Sequence, residues 1–399
     1  MEVEFSLLGE PTLTLQRLLA AFENETGARV RLTSIPWEKA WPELLTYALF
    51  DRGPDVSHVG STWASSLVAM NSLRPFTPNE IAGWGGPQAF LPQCWSSTSI
   101  PGDPAVYAAP WAAYTFVVCY RRDLLAQAGA AEEQAFASPS ALEETLRRLQ
   151  SAGVEAPWSV PVDPANPDAL HLLASWVWGA GSDLISPEGS LLCREPRALA
   201  VLKIYFDSLK FCSSRAYPLS ALAAEARFTT GQAAVTLCGA DRPYAWLRTR
   251  SAAAEVLEHL GVAVMPGVPW IGGDNLVLWQ HTRAHPEHER LALELVKYLV
   301  ELPAQRANAA SEEIFLPTRP EALEALPEPG SQLTRAVVQS LQNGRAYQAM
   351  PMWSKIEHRF GLTLAQIGQE VLDGAEVKAT IQKHLDTLAN RLEITLKGT

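Results

Sequence analysis

At 399 residues the chain exceeds the usual single-domain range, and its 47% hydrophobic content is enough to build two buried cores. A formal net charge of −11 argues against a nucleic-acid backbone or an anionic membrane surface as partner, because both require a basic face. Five widely spaced cysteines without a CxxC pair give neither a disulfide framework nor a zinc spacing, and no apolar run is long enough to span a membrane.

The first third of the chain alternates strand and helix. Val3–Leu8 reads as a strand and Gly9-Glu10-Pro11-Thr12 as the polar turn after it. Leu15, Leu18, Leu19 and Phe22 then fall on one helical stripe closed by Gly27. Val30 and Leu32 alternate with charged residues as a second strand, and Trp37, Ala40, Trp41, Leu44, Leu45 and Ala48 outline a second helix. Gly53-Pro54-Asp55 leads into a third strand at Val56–Val59, with a helix from about Thr62. This order predicts a parallel sheet covered by helices, and ligands of such sheets bind beyond the carboxyl ends of the strands. That rule singles out Gly9–Thr12, Ser34–Trp41 and Gly60–Trp63.

Ala109-Pro110-Trp111 reads as a change of direction, followed by a buried strand at Phe116–Tyr120 and a short helix carrying Leu124 and Leu125. A helix begins at Ser138-Pro139 and continues through Leu142, Leu146 and Leu149. Pro-rich loops around Pro157–Pro167 precede a helix at Leu170–Trp178. Helices near Ala198–Leu209 and Tyr217–Phe228, strands at Ala233–Cys238 and Val262–Met265, and a helix at Glu287–Leu302 follow. From Trp353 the chain reads as two long amphipathic helices separated by Gly374, with Ile356, Phe360, Leu364 and Ile367 on the first apolar face.

Several segments, in order along nearly the whole chain, resemble the solute-binding proteins of ABC importers, in the large family that includes the maltose-binding proteins. Phe22–Val30 is similar to its F-E-x-x-T-G-x-x-V segment and Gly53–Val56 to its G-x-x-P-D-V strand start. Tyr107–Gly129 resembles its Y-x-x-P-W crossover, and Phe228–Val235 its F-x-x-G-x-A-A-M segment, with Val for the usual Met. Gly272-Gly273 and Pro317-Thr318-Arg319 resemble its G-G return and P-x-R segments.

The resemblance implies an α/β, two-lobed periplasmic-binding-protein fold of type II, each lobe a central sheet flanked by helices, joined by a three-segment hinge with a proline at each crossing. The N-terminal lobe would take residues 1–110 and 266–316, the C-terminal lobe 111–265 and 317–399. It further implies reversible capture of a small carbohydrate in the interlobe cleft with hinge closure, importer membrane subunits as partners, no cofactor, a monomer, and a periplasmic or extracellular location. Met1 leads straight into a strand, which taken literally reads as cytosolic; under the resemblance a secretion or lipoprotein signal is expected to have been removed.

Carried over position by position, Glu10, Pro11 and Thr12 match the first cleft loop. Trp37, Glu38 and Trp41 match the start of the second helix, and Ser61, Thr62 and Trp63 the third-strand loop. Trp111 and Tyr114 match the crossover; Trp270, Gly273, Asp274 and Asn275 match the return; Trp353 matches a position that often stacks on sugar. The chain departs from the family by lacking the acidic residue of the third-strand loop and by carrying Tyr114 where Asp or Glu is common. Asp241 and Arg242 stand where a stacking Trp is common, which points toward a ligand with a charge or unusual polar group. The residue types suit sugars physically: indoles stack on the C–H faces of a pyranose, while carboxylates, amides and guanidinium groups bind its hydroxyls.

Each assignment has a structural competitor. Trp37 and Trp41 share the apolar face of their helix, Trp270 sits in a Pro/Gly turn, and Trp353 can cap the face through Ile356 and Phe360. Trp63 and Trp111 stand at predicted strand ends and are stronger binding candidates; Trp176 and Trp178 read as core. His281, His285 and His288 form the most metal-like spacing, yet they flank a helix start where polar residues are routine, so no metal is assigned. No HExxH, GxSxG, P-loop or GxGxxG signature is present, so the chain reads as a non-enzyme. The alternatives are a non-sugar or charged solute (a sugar acid, polyamine or glycerol phosphodiester) and, less favoured, a carbohydrate-active enzyme.

Overall fold

Three parallel strands and the helices between them open the chain: β1 (Glu2–Leu8), α1 (Leu13–Thr26), β2 (Arg29–Ile35), α2 (Trp37–Phe50) and β3 (Val56–Gly60). The computed structural model describes residues 1–163, 168–212, 220–350 and 352–397. It divides into two compact units. The first comprises residues 1–114, 271–329 and 346–354, the second 115–270, 330–345 and 355–399.

In the first unit β1 pairs in parallel with β2, from Glu2↔Arg29 to Leu8↔Ile35, and with β3 at Phe5↔Val56. The strand Ile271–Leu278 returns antiparallel to β3, from Val56↔Leu278 to Gly60↔Asp274. It also adjoins β4 (Ala108–Arg121), whose Ala112 and Ala113 pair with Pro317 and Leu316. From Phe5 to Leu8 β1 is buried on both faces, whereas β2 at the edge alternates exposed and partly covered residues over Arg29–Thr33. The core gathers Val3, Phe5 and Leu7 of β1, Leu15, Leu19 and Phe22 of α1, and Leu291, Leu295 and Leu299 of the helix Pro286–Val300. Thr12 caps α1 by accepting from Leu15 N, and Gly27 ends it at φ +69, a left-handed value that glycine adopts without a Cβ penalty.

The helix expected from about Thr62 is α3 (Ala64–Ala69), with Trp63 immediately before it. One sequence expectation is corrected. Ala109-Pro110-Trp111 does not turn, since β4 runs unbroken through it. The fixed φ of proline is compatible with extended backbone, and the Pro110 carbonyl accepts from Thr318 Oγ1 at 3.1 Å.

The second unit is built on β4 from Thr115 onward. Val235–Gly239 flanks it antiparallel, Phe116↔Gly239 to Tyr120↔Val235, as does Leu260–Val264, from Val117↔Val264. Trp158–Ser159 adds a parallel strand at Val235. The helices Pro139–Ser151, Asp168–Gly179 and Val377–Lys397 pack on Pro196–Ser208. Ile356, Phe360, Leu364 and Ile367 are buried along the helix Trp353–Leu372, the face read from their spacing. Trp176 and Trp178 are core residues, and Cys119 and Cys238 are buried on neighbouring strands. The helix expected from Tyr217 is described from Ala221 to Thr229; residues 217–219, like 164–167 of the Pro-rich loop, lie outside the described residues.

Candidate ligand-binding site

The carboxyl ends of β1, β2 and β3 carry most of the predicted site residues of the first unit. After β1, Gly9 turns the chain at φ +81 and donates its N–H to Ile35 O. Glu10 is exposed and Pro11 half-buried, whereas Thr12 is buried as the helix cap. Thr12 also lines a recess of about 410 Å³ with Thr14, Arg17, Ser311 and Glu313, within the size range of small-molecule pockets.

After β2, Pro36 precedes α2, whose Trp37 and Trp41 lie with Trp63 of the third-strand loop. Trp37 and Trp63 meet edge-on with ring centres 5.9 Å apart, and Trp41 and Trp63 at 5.7 Å. Trp63 lies over Gly60, where a Cβ would meet the indole at 3.4 Å, an ordinary van der Waals contact. Trp37 is 49% exposed. An indole half in water presents an apolar face with a polar edge, the form that favours a stacking ligand. Glu38 beside it is exposed and Trp41 half-buried.

After β3 the side chains become small and polar. Ser61 N donates to Gly273 O at 2.8 Å, tying the third-strand loop to the return strand. Ser61, Thr62, Ser65, Ser97, Tyr347 and Trp353 line one recess of about 20 Å³. A second of about 10 Å³ includes Gln93, Asp274 and Asn275 and shares Ser61, Ser97, Ile271 and Ala346 with the first. Each has room for about one water molecule. Asn275 donates from Nδ2 to Ser97 Oγ at 3.0 Å. Trp353 is buried against Tyr347 with ring centres 4.4 Å apart, and its Nε1 has no hydrogen-bond partner among the described residues.

Trp111 is 2% exposed and belongs to the core of the first unit, packed on Phe5, His58 and Phe315. Its carbonyl accepts from Gln305 Nε2 at 2.6 Å, while its own Nε1 finds no partner among the described residues. Tyr114, at the end of that stretch of β4, is half-buried.

Asp241, Arg242 and Trp270 belong to the second unit. Arg242 is engaged by Glu225, whose carboxylate accepts from Arg242 Nε at 2.9 Å and from Trp246 Nε1 at 3.0 Å. That hydrogen-bonded partner holds the guanidinium pKa above its ordinary value. Asp241 sits at the start of the helix Arg242–Thr249 without capping it; burial raises its pKa, and its Oδ1 is shut from water with no partner among the described residues. Trp270 stacks flat on His171, 3.8 Å between ring centres and 5° between planes, with Phe116 alongside. Burial pushes the His171 pKa down to about 3.

The structure thus brings Trp37, Trp41 and Trp63 together, and separately Ser61, Thr62, Asp274, Asn275 and Trp353. It adds residues the sequence did not flag: His58, Ser65, Ser97, Tyr347 and Gln348 carry no motif, and only the fold brings them to these loops. Among the described residues no three metal-type side chains converge. His281 Nε2 contacts Gly53 O at 3.2 Å, and His288 Nδ1 lies 3.5 Å from Asp55 Oδ2.

Residues 17–334 match the family model described as bacterial extracellular solute-binding protein. The chain belongs to that family. No characterised protein matches it by sequence comparison. Among solved structures it resembles maltose-bound MalE3 of T. maritima, at 19% identity over 99% of each chain with a TM-score of 0.80. It also resembles the sugar-binding protein MalE of Xanthomonas citri, at 21% identity over 100% of this chain and 98% of that one, TM-score 0.81. A third likeness is an ABC transporter solute-binding protein of Agrobacterium radiobacter K84 in complex with ribitol, at 17% identity over 98% of each chain, TM-score 0.77. These likenesses establish the two-lobed α/β fold of periplasmic binding proteins. The family and these neighbours are binding proteins, and the family is extracellular. Among the described residues no helix of this solute-binding protein is long and apolar enough to cross a membrane.

Proposed function

We propose that this solute-binding protein captures a small neutral carbohydrate and delivers it to the membrane subunits of an ABC importer. Binding is reversible, with closure of the lobes and no covalent step. The observation that carries the reading is the half-exposed Trp37 indole beside Trp63 and Trp41, on the same unit as recesses lined by Ser61, Ser97, Asn275 and Asp274. Indoles supply the stacking face; hydroxyls, an amide and one carboxylate supply directional partners for sugar hydroxyls. The ligands named for the neighbours, maltose and ribitol, are both neutral polyols.

A charged ligand is less well supported. The cation that suggested one, Arg242, is engaged by Glu225, and among the described residues no Lys or Arg lines either small recess. Tyr114 and the third-strand loop supply no carboxylate, which leaves Asp274 as the acidic side chain of these recesses.

A thermal-shift screen tests this with maltose, D-tagatose, ribitol, glucuronate and spermidine. A ligand at 100 times its Kd stabilises the folded state by about 2.7 kcal/mol, so a neutral polyol should raise the melting temperature by several degrees. Shifts confined to glucuronate or spermidine would reverse the assignment of charge. Turnover of glycosides would replace binding by catalysis.

A further inference from the structure

His58 is an ionisable ring in the interior of the first unit, and its surroundings fix how it can act. It lies on β3 and is 2% exposed. Trp111 and Trp37 meet it edge-on, at ring-centre distances of 5.0 and 5.7 Å. Leu8 N donates to its Nδ1 at 3.2 Å. A ring nitrogen that accepts carries no proton, which leaves Nε2 to carry it. That nitrogen lies 3.1 Å from Asp274 Oδ1. Its N–H is not aimed at the oxygen, which leaves a buried donor beside a carboxylate without an aligned bond. The strand register explains the approach: Gly60 stands opposite Asp274 and His58 opposite Leu276, so His58 and Asp274 are diagonal neighbours on one face of the sheet. Asp274 retains 18% side-chain exposure and lines the recess with Ser61, Ser97 and Asn275.

We propose that His58 is the positioning residue for Asp274: its Nε2–H orients the carboxylate as acceptor for a ligand hydroxyl, and ligand binding draws the pair into line. The inference rests on the carbohydrate reading above, in which Asp274 touches the ligand. The recess already holds one end of the arrangement rigid, since Ser61 N is bonded to the carbonyl of Gly273 next to Asp274. His58 supplies the other constraint from beneath. A fixed donor 3.1 Å from the carboxylate narrows the orientations it has left to lose when a ligand hydroxyl binds and the pair comes into line, which is the gain that preorganisation brings to affinity.

Two measurements test it. The first needs no ligand: nitrogen-edited imidazole spectra of the whole protein should show His58 with its proton on Nε2, and D274A should displace the Nε2 signal. A proton on Nδ1, or a signal indifferent to D274A, overturns the proposal. The second uses maltose as probe in calorimetric titration. H58F and D274A should each weaken binding about tenfold, equivalent to about 1.4 kcal/mol. The double variant should lose little more than either single one, because both changes break the same contact. H58Q, whose amide can accept from Leu8 N and donate to Asp274, should recover most of the loss; H58F and D274A losses that simply add, or no recovery in H58Q, overturn the proposal. A wild-type chain that ignores maltose counts against the sugar reading instead, and the imidazole spectra then decide the pairing alone.

Discussion

Replacing Trp111 and Trp37 by Ala, one at a time, separates the core of the first unit from its ligand surface. Trp111 is packed on Phe5, His58 and Phe315 at 2% exposure, so truncation removes nearly all of a buried indole and leaves a cavity. Such Trp→Ala changes cost about 3–5 kcal/mol. For units of this size each kcal/mol moves the melting point by about 2–4 °C, so the unliganded Tm of W111A should fall by roughly 6–20 °C. Trp37 is 49% exposed, so about half of its indole area is at stake and water fills the space left. At about 25 cal/mol per Å² and an indole burial of about 150–250 Å², that half amounts to roughly 2–3 kcal/mol as an upper bound, because unfolded chains already bury part of it. W37A should therefore keep most of the unliganded stability while losing most of the ligand-induced shift. Calorimetric melts with and without the best solute from the screen read both quantities. If W111A melts within a degree or two of wild type, the ring is not the packing element its contacts imply. If W37A keeps the full ligand shift, the exposed indole is not a sugar platform.

Gly273 on the return strand has φ +131, and a Cβ there would stand 2.1 Å from Ala112 O and 2.8 Å from Ala113 Cα. G273A should cost about 2–6 kcal/mol in urea unfolding from backbone strain and overpacking together, and a near-neutral result would mean the two strands can part cheaply. His171 makes stability fall on acidification. Its folded pKa of about 3 lies below the ordinary value of 6.5, so between these pH values the unfolded chain binds the extra proton. This contribution is complete above pH 6.5 and is lost as pH falls toward 3. H171F should flatten the acid limb by at most about 1.4 kcal/mol per pH unit between pH 6 and 4. Urea midpoints at several pH values check it, and parallel limbs in the two proteins would refute it.

How much of this was legible in the sequence follows from the range over which each signal acts. Period and punctuation are local, so β1, α1, β2, α2 and β3 could be placed from Leu15, Leu19, Phe22, Gly27 and the alternation at Val30 and Leu32. Pro110 misleads as a local signal. Proline predicts a bend where nothing else is known, yet in β4 its carbonyl is held by Thr318 Oγ1 from more than two hundred positions away. The sheet partner decides the conformation, not the residue. The bend at Pro110 was therefore the reading most exposed to error, and with it the placing of Trp111 at a strand end.

The same separation of range governs the polar groups. Arg242 stands where the family often has a stacking ring and reads as a hint of charge recognition. Its partner Glu225 comes from the preceding helix, seventeen positions back, with no pattern linking the two. His58 gives no signal at all, since it alternates with Ser57 and Val59 as any strand residue would, and the donor on one side of it and the carboxylate on the other come from Leu8 and Asp274. Sequence resemblance can therefore nominate the loops that reach a ligand, because loop position follows from strand order. It cannot tell which nominated charges are already spent on the protein itself. That distinction favours a neutral ligand here: Arg242 is occupied by Glu225, while Asp274 keeps part of its carboxylate open to the recess beside Ser61.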